Sequence, residues 1–400
     1  MPNLAYRKTI SLLVIWFFLF TSNGYSTPTL YKSNNTLRPP IGGLPTRGGN
    51  VLEEEGEVIL KNDSHEVKKL SRQGYTVYHL TDLRSGSSFE IVPERGAGVI
   101  SFKVGGREFL LPSDDLNKSL RGIPFMSPPN RVRGEKITIH GQEFDLSEID
   151  EISDDGKGNS IHGPLRGMAW ELDGIDSDEQ GITVECSIDL SGTRLGKIFG
   201  QAKYTLIYTL KGNKLSKTVR IVNNDNKPID VGCAWHDWIN AEDVSGWQAV
   251  LPASEYCVTE GLLPTGEVRP VQEIGLEQGK AIGLAGQAGV FDHVLTGLES
   301  DDGWVTSVLS HREENIRVIF RQDGRYLKYI VFFIHEDGRS ICVEAQSCFT
   351  DAHNLKAQGI ASDLITIKQG KTIEVSSDIE IEIKKPNAPL DLNQAPAQDI

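Results

Sequence analysis

No part of this 400-residue chain sustains a 3.6-residue apolar period over a dozen positions, and no fixed-length repeat recurs. What recurs is short runs rich in Val, Ile, Tyr and Phe, closed off by Gly, Asp and Asn. Tyr75-Thr76-Val77-Tyr78, Phe89-Glu90-Ile91-Val92, Ile182-Thr183-Val184-Glu185-Cys186, Tyr204-Thr205-Leu206-Ile207-Tyr208, Thr218-Val219-Arg220-Ile221-Val222 and Arg317-Val318-Ile319-Phe320 are examples. β-Branched and aromatic side chains fit a pleated surface, and their alternation with polar residues gives each run one face to bury. The pattern predicts an all-β chain built as a large antiparallel β-sandwich over 51–385, since one such domain can occupy this length.

The flanks read differently. Arg7-Lys8, the apolar stretch Ile10–Phe20 and the small-residue exit around Gly24-Tyr25-Ser26 predict a secretory signal over 1–26. That stretch is short for a bilayer span, although an uncleaved signal anchor is the alternative. A secreted or periplasmic protein follows, with no membrane span in the mature chain. Residues 27–50, with Pro39-Pro40 and Gly48-Gly49, read as a linker or surface strap, and 386–400 as a disordered tail.

Lys and Arg number 41 against 55 Asp and Glu, a formal charge of −14; loss of Arg7 and Lys8 with the leader leaves 39 against 55, or −16. Such a chain has no general attraction for nucleic acid or anionic lipid, so a neutral or cationic ligand is expected. The five cysteines, Cys186, Cys233, Cys257, Cys342 and Cys348, include no C-x-x-C pair. Neither a dense disulfide framework nor a thiolate zinc site is indicated, while one or two bridges stay open, Cys342 and Cys348 being close in sequence. Gly96-Ala97-Gly98 is too short a glycine signal for a dinucleotide, and there is no G-x-S-x-G elbow or H-E-x-x-H helix.

The candidate chemistry is spread over separate segments. Arg131 follows Ser127-Pro128-Pro129-Asn130, where the prolines favour an extended approach and a guanidinium can present forked donors to hydroxyls. His162 stands on a turn in Asn159-Ser160-Ile161-His162-Gly163, and His236 lies between Trp235 and Trp238, whose indoles could stack on a sugar ring. In Ile341-Cys342-Val343-Glu344-Ala345, strand alternation would put Glu344 on one face with Cys342, and burial there would raise its pKa into a useful range. Asp292, before His293, could accept hydrogen bonds from hydroxyls. Each has a bland reading as surface polarity or a satisfied core residue; together they suggest one polar pocket.

Taken in order, Pro128-Pro129-Asn130-Arg131, Asn159 to Gly163, His236 to Asn240, Leu263-Pro264-Thr265-Gly266, Phe291-Asp292-His293, Glu344 and Thr350-Asp351-Ala352-His353-Asn354 resemble the aldose 1-epimerase (galactose mutarotase) family over roughly 85–380. The resemblance implies a galactose mutarotase-like supersandwich and interconversion of the α and β anomers of a free sugar, with no metal or organic cofactor. It implies that Glu344 is the base, His236 the acid and His162 a sharer of the acid role, with Arg131, Asp292, Asn130 and Trp238 contacting a monosaccharide. Asp237-Trp238-Ile239 after the second histidine departs from the family pattern and leaves the choice of sugar open. Other readings are a carbohydrate-binding protein without catalysis, a hexose-6-phosphate 1-epimerase, and a glycoside-processing enzyme needing a second carboxylate, Asp237 or Asp292, near Glu344.

Overall fold

A computed structural model describes residues 56–113, 115–117 and 121–384. The expected leader, strap and tail lie outside these residues. The runs singled out above all fall in strands, each somewhat longer than the run itself: Tyr75–Asp82, Ser87–Val92, Gly181–Asp189, Ala202–Lys211, Lys214–Asn223 and Ile316–Asp323. Only two α-helices occur among the described residues, Arg194–Phe199 and Ala352–Ala357.

Two large sheets make the body, and every strand pairing within them is antiparallel. The nine-stranded sheet runs Glu171–Asp178, Gly181–Asp189, Ala202–Lys211, Lys214–Asn223, Thr372–Ile383, Ile316–Asp323, Trp304–His311, Trp247–Val250 and Ala281–Gly283. The eight-stranded sheet runs Leu263–Pro270, Ala253–Glu260, Asp292–Leu298, Tyr329–Ile334, Ser340–Gln346, Ala234–Trp235 and Phe125–Met126, with Trp238–Asn240 also paired to Ser340–Gln346. A further six-stranded sheet covers Glu57 to Glu108.

Period-two alternation divides the eight-stranded sheet into a core face and a site face. On its central strand Ile341, Val343 and Ala345 join the main core cluster, which also holds Val184, Leu206, Val219 and Ile379 of the nine-stranded sheet. Cys342 and Glu344 take the other face. Cross-strand partners share a face, so the register sets Asp292, Phe333, Cys342 and Trp238 in one transverse row. Glu344 lies in the next row, beside Val331 and Val294.

All five cysteines are buried free thiols, so neither bridge left open by the sequence forms. Trp235 is likewise a core residue, fully buried and edge-on to Phe125 at 5.5 Å between ring centroids, which removes it from any role against a sugar.

Candidate active site

The strand register explains how the acid and base candidates meet. Trp235 pairs with Ala345 and Trp238 with Cys342, so the intervening count sets His236 opposite Glu344. His236 Nε2 lies 3.1 Å from Glu344 Oε1, and the two residues are 6% and 3% exposed. The chain around His236 is pinned on its other edge, where the His236 amide donates to the Pro124 carbonyl at 3.1 Å and the Trp238 amide to Gly122 at 2.9 Å.

Arg131 and His162 come from a smaller device. Arg131–Val132 pairs with Ser160–Ile161, which pairs in turn with Ser153–Asp154. The His162 amide donates to the Asn130 carbonyl at 2.7 Å, and His162 then turns away with φ 64°. Gly163 makes that turn feasible: its φ is 62°, and a Cβ there would sit 2.2 Å from the Ser127 carbonyl oxygen. The His162 ring meets the His236 ring edge-on at 5.4 Å, so the sequence-predicted imidazoles and Glu344 converge. Nδ1 of each histidine is buried with no protein partner among the described residues. Unpaired buried nitrogens are uncommon in a satisfied core and fit a site that receives a polar ligand.

Arg131 is fixed rather than free. Its Nε donates to Asp155 Oδ2 at 3.1 Å and its Nη1 to Asn130 Oδ1 at 3.2 Å, which leaves the rest of the fork uncommitted to these two partners. Burial pulls Asp155 upward, but hydrogen bonds from Asn159, Lys157 and Arg131 outweigh it and hold the carboxyl down to about 2. Asn130, expected as a sugar contact, is buried and spends its side-chain oxygen on Arg131. The Thr350–Asn354 motif proves to be scaffold: the Asp351 amide donates to the Arg131 carbonyl at 3.0 Å, and Asp351 Oδ1 accepts from the Arg133 amide and Asn354 Nδ2 at 3.1 and 2.7 Å.

Trp238 stacks flat on His236, with ring centroids 4.6 Å apart and planes 1° from parallel. One indole face is therefore spent on the imidazole, and the indole also meets Phe333 in a T-shaped contact. Asp292 is half-buried at the start of its strand, two strands from Glu344. Asp237 turns to the other face and pairs with Lys217 Nζ at 2.5 and 2.7 Å, both side chains fully buried. That pairing takes Asp237 out of contention as a second catalytic carboxylate.

The electrostatics follow from burial and from these neighbours. Burial pushes the Glu344 carboxyl well above the ordinary carboxylate range, and the Asp292 and Asp237 carboxylates push the same way against Arg131. Burial, with Arg166 adding to it, takes His236 down to about 3. His162 also lies well below the usual histidine value, through burial and the charges of His236, Arg166 and Arg131. A buried pair kept from carrying net charge retains one proton between carboxyl and imidazole, which can reside on either across 3.1 Å.

Two residues near this site escape the sequence reading. The charge of Arg166 lowers both imidazoles, and no carboxylate pairs with it among the described residues. It lies in the loop after His162, where nothing local marks it. Lys217 does carry a signal: Leu215, Lys217 and Val219 alternate onto one buried face, and a lysine in that register demands a buried partner.

The fold has counterparts among known proteins. A galactose mutarotase-like protein from Clostridium acetobutylicum superposes with TM-score 0.69 at 20% identity, covering 81% of this chain and 100% of its own. The galactose 1-epimerase from Lactobacillus acidophilus gives TM-score 0.62 at 16% identity, covering 80% and 99%. A galactose mutarotase-like protein from Lactobacillus casei gives 0.58 at 16%, covering 74% and 97%. At these identities the likeness is one of fold, a galactose mutarotase-like sandwich. The family model described as Aldose 1-epimerase matches residues 79–380, which span the Arg131 loop, both histidines, Asp292 and Glu344. The chain therefore belongs to the aldose 1-epimerase family.

Proposed function

We propose that the protein is an aldose 1-epimerase that interconverts the α and β anomers of a free hexose. The observation that carries this is the buried contact of His236 Nε2 with Glu344 Oε1 at 3.1 Å, flanked by the second imidazole. With the shared proton on His236, Glu344 is the anionic base. It takes the proton of the anomeric hydroxyl while His236 gives its own to the ring oxygen, and the bond from C1 to the ring oxygen breaks to an open-chain aldehyde. Rotation about the bond from C1 to C2 presents the other carbonyl face. Reclosure returns one proton from Glu344 to the former carbonyl oxygen and one from the ring hydroxyl to His236, so the site ends as it began. His162 holds the ring oxygen or a neighbouring hydroxyl, while Arg131 and Asp292 orient the remaining hydroxyls.

A second reading, an anionic hexose such as a 6-phosphate, is favoured by the charge of Arg166, which is felt by both imidazoles and would suit a phosphate. Both readings are tested by following the approach of α-glucose, α-galactose and α-glucose 6-phosphate to anomeric equilibrium, by polarimetry or proton NMR, with the wild type and Glu344→Gln. Acceleration that the variant loses supports epimerisation, and the preferred sugar selects between neutral and anionic substrate. Full activity in Glu344→Gln, or no acceleration of any of the three by a folded wild type, would overturn the proposal.

A further inference from the structure

We propose that His236, Cys342 and Glu344 form a three-ligand site for a thiophilic divalent cation, Zn²⁺ foremost, whose occupancy blocks the acid/base pair. Among the described residues this is the one group of His, Cys, Asp and Glu whose ligand atoms all come within 4.8 Å of one another. The strand dictates the third member: Cys342 precedes Glu344 by two residues on Ser340–Gln346, so both side chains leave the same face. His236 enters from the adjoining segment, directly opposite Glu344.

The donor set and spacing fit the ion. Zinc bond lengths of about 2.0–2.3 Å at tetrahedral angles put neighbouring ligand atoms roughly 3.3–3.6 Å apart. His236 Nε2 and Glu344 Oε1, at 3.1 Å, already stand near that separation. The widest approach within the group, bounded at 4.8 Å, closes with about 1 Å of side-chain adjustment. One imidazole, one thiolate and one carboxylate together neutralise a dication, and three protein ligands leave the fourth tetrahedral position for water. The thiolate selects against Mg²⁺ and Ca²⁺, which prefer all-oxygen shells. On binding, the Cys342 thiol proton and the proton shared by His236 and Glu344 both pass to solvent, the metal–ligand bonds form in their place, and no electron transfer is involved. Metal on His236 Nε2 and Glu344 occupies the atoms that would exchange protons with the sugar, so cation and catalysis exclude each other.

The inhibition rests on the epimerase reading, whereas the binding does not, and the experiment separates them. The full chain, with thiols reduced and metal stripped, is titrated with Co²⁺, and thiolate-to-cobalt charge-transfer absorption is recorded, followed by displacement with Zn²⁺. The expected result is about one equivalent of tetrahedral Co²⁺, displaced by Zn²⁺ and indifferent to Mg²⁺. Cys342→Ala and the near-isosteric Cys342→Ser abolish the band, and Glu344→Gln weakens binding by more than about tenfold, as loss of a ligand must exceed loss of an outer-shell partner. Cys257→Ala, which removes a buried thiol packed among Val294, Tyr329 and Val331, leaves the band intact. A band that survives in both Cys342 variants, or no band in the wild type, overturns the site. In the mutarotation assay Zn²⁺ slows the wild type and is relieved by a chelator. Catalysis insensitive to Zn²⁺ while the band is present overturns the blocking role. Absence of catalysis with an intact band leaves the metal site standing and sinks the epimerase reading alone.

Discussion

His236 and Asp237 are neighbours in the chain and face opposite sides of one sheet, and the two sides treat buried charge in opposite ways. On the core side Asp237 meets Lys217 through both carboxylate oxygens, with the Lys217 ammonium over the Trp235 ring at 5.7 Å from its centroid. On the site side His236 meets Glu344 through a single contact, and among the described residues no Lys or Arg pairs with the carboxylate and one imidazole nitrogen has no partner. The first arrangement holds two opposite charges still. The second holds a proton that has two places to go. A buried charge becomes chemistry where its partner is a group of comparable proton affinity rather than a permanent ion.

The sharpest break in this comparison is Glu344→Gln, which keeps volume and one hydrogen bond but removes the proposed base. The mutarotation rate should fall by about 10²–10⁴-fold with little change in thermal stability, measured by polarimetry and calorimetry on the same preparation. Lys217→Met does the reverse: removing one partner of a buried pair costs about 3–5 kcal/mol of stability, read by urea unfolding. The double change Lys217→Met with Asp237→Leu should recover most of that loss, because the uncompensated charge goes with its partner. His162→Gln should lower kcat by roughly 10²-fold, the low end for a proton-transfer group, and leave Glu344→Gln nearly unaffected when combined with it.

A third carboxylate, away from both, sharpens the contrast with the smallest effect. Burial acts to raise Glu90, yet hydrogen bonds and charges from His79 and Arg72 outweigh it and hold the carboxyl down to about 2 from an ordinary 4.5. A depressed folded-state pKa gives stability that is present above the ordinary value and is lost as pH falls through about 2. Glu90→Gln should therefore flatten the acid limb of the urea midpoint below about pH 4.5 while leaving mutarotation unchanged. An unaltered acid limb would show that this pair, like many near a surface, adds nothing net.

The strands and the shared face of Cys342 and Glu344 were legible because period-two alternation is local. The turn at His162 was legible for the same reason, its glycine following at once. What the sequence leaves dark is pairing between distant segments. Arg166 is an ordinary loop arginine until the fold lets its charge act on two imidazoles from distant segments. Asn130 looks like a sugar contact because it adjoins Arg131, whereas its oxygen is committed to holding that guanidinium. Trp238 looks like a platform for a sugar ring, yet stacking on His236 takes one of its faces. Lys217 stood in an alternating run and could have been read as a buried lysine, though its partner could not.

The unequal lengths of the strands that carry the site have a mechanical consequence. Glu344 hangs from the middle of a seven-residue strand paired on both sides, whereas Arg131 and His162 hang on or beside strands of two residues each. Long ladders open at a cost near that of global unfolding, and short ones open locally at far less. Stiffness is thus concentrated under Glu344, while the ladder under Arg131 and His162 is compliant. In the proposed reaction C1 and its oxygen swing past Glu344, so the stiff strand holds the carboxylate in place against the atoms that move most, and the short ladder can give under the rest of the ring.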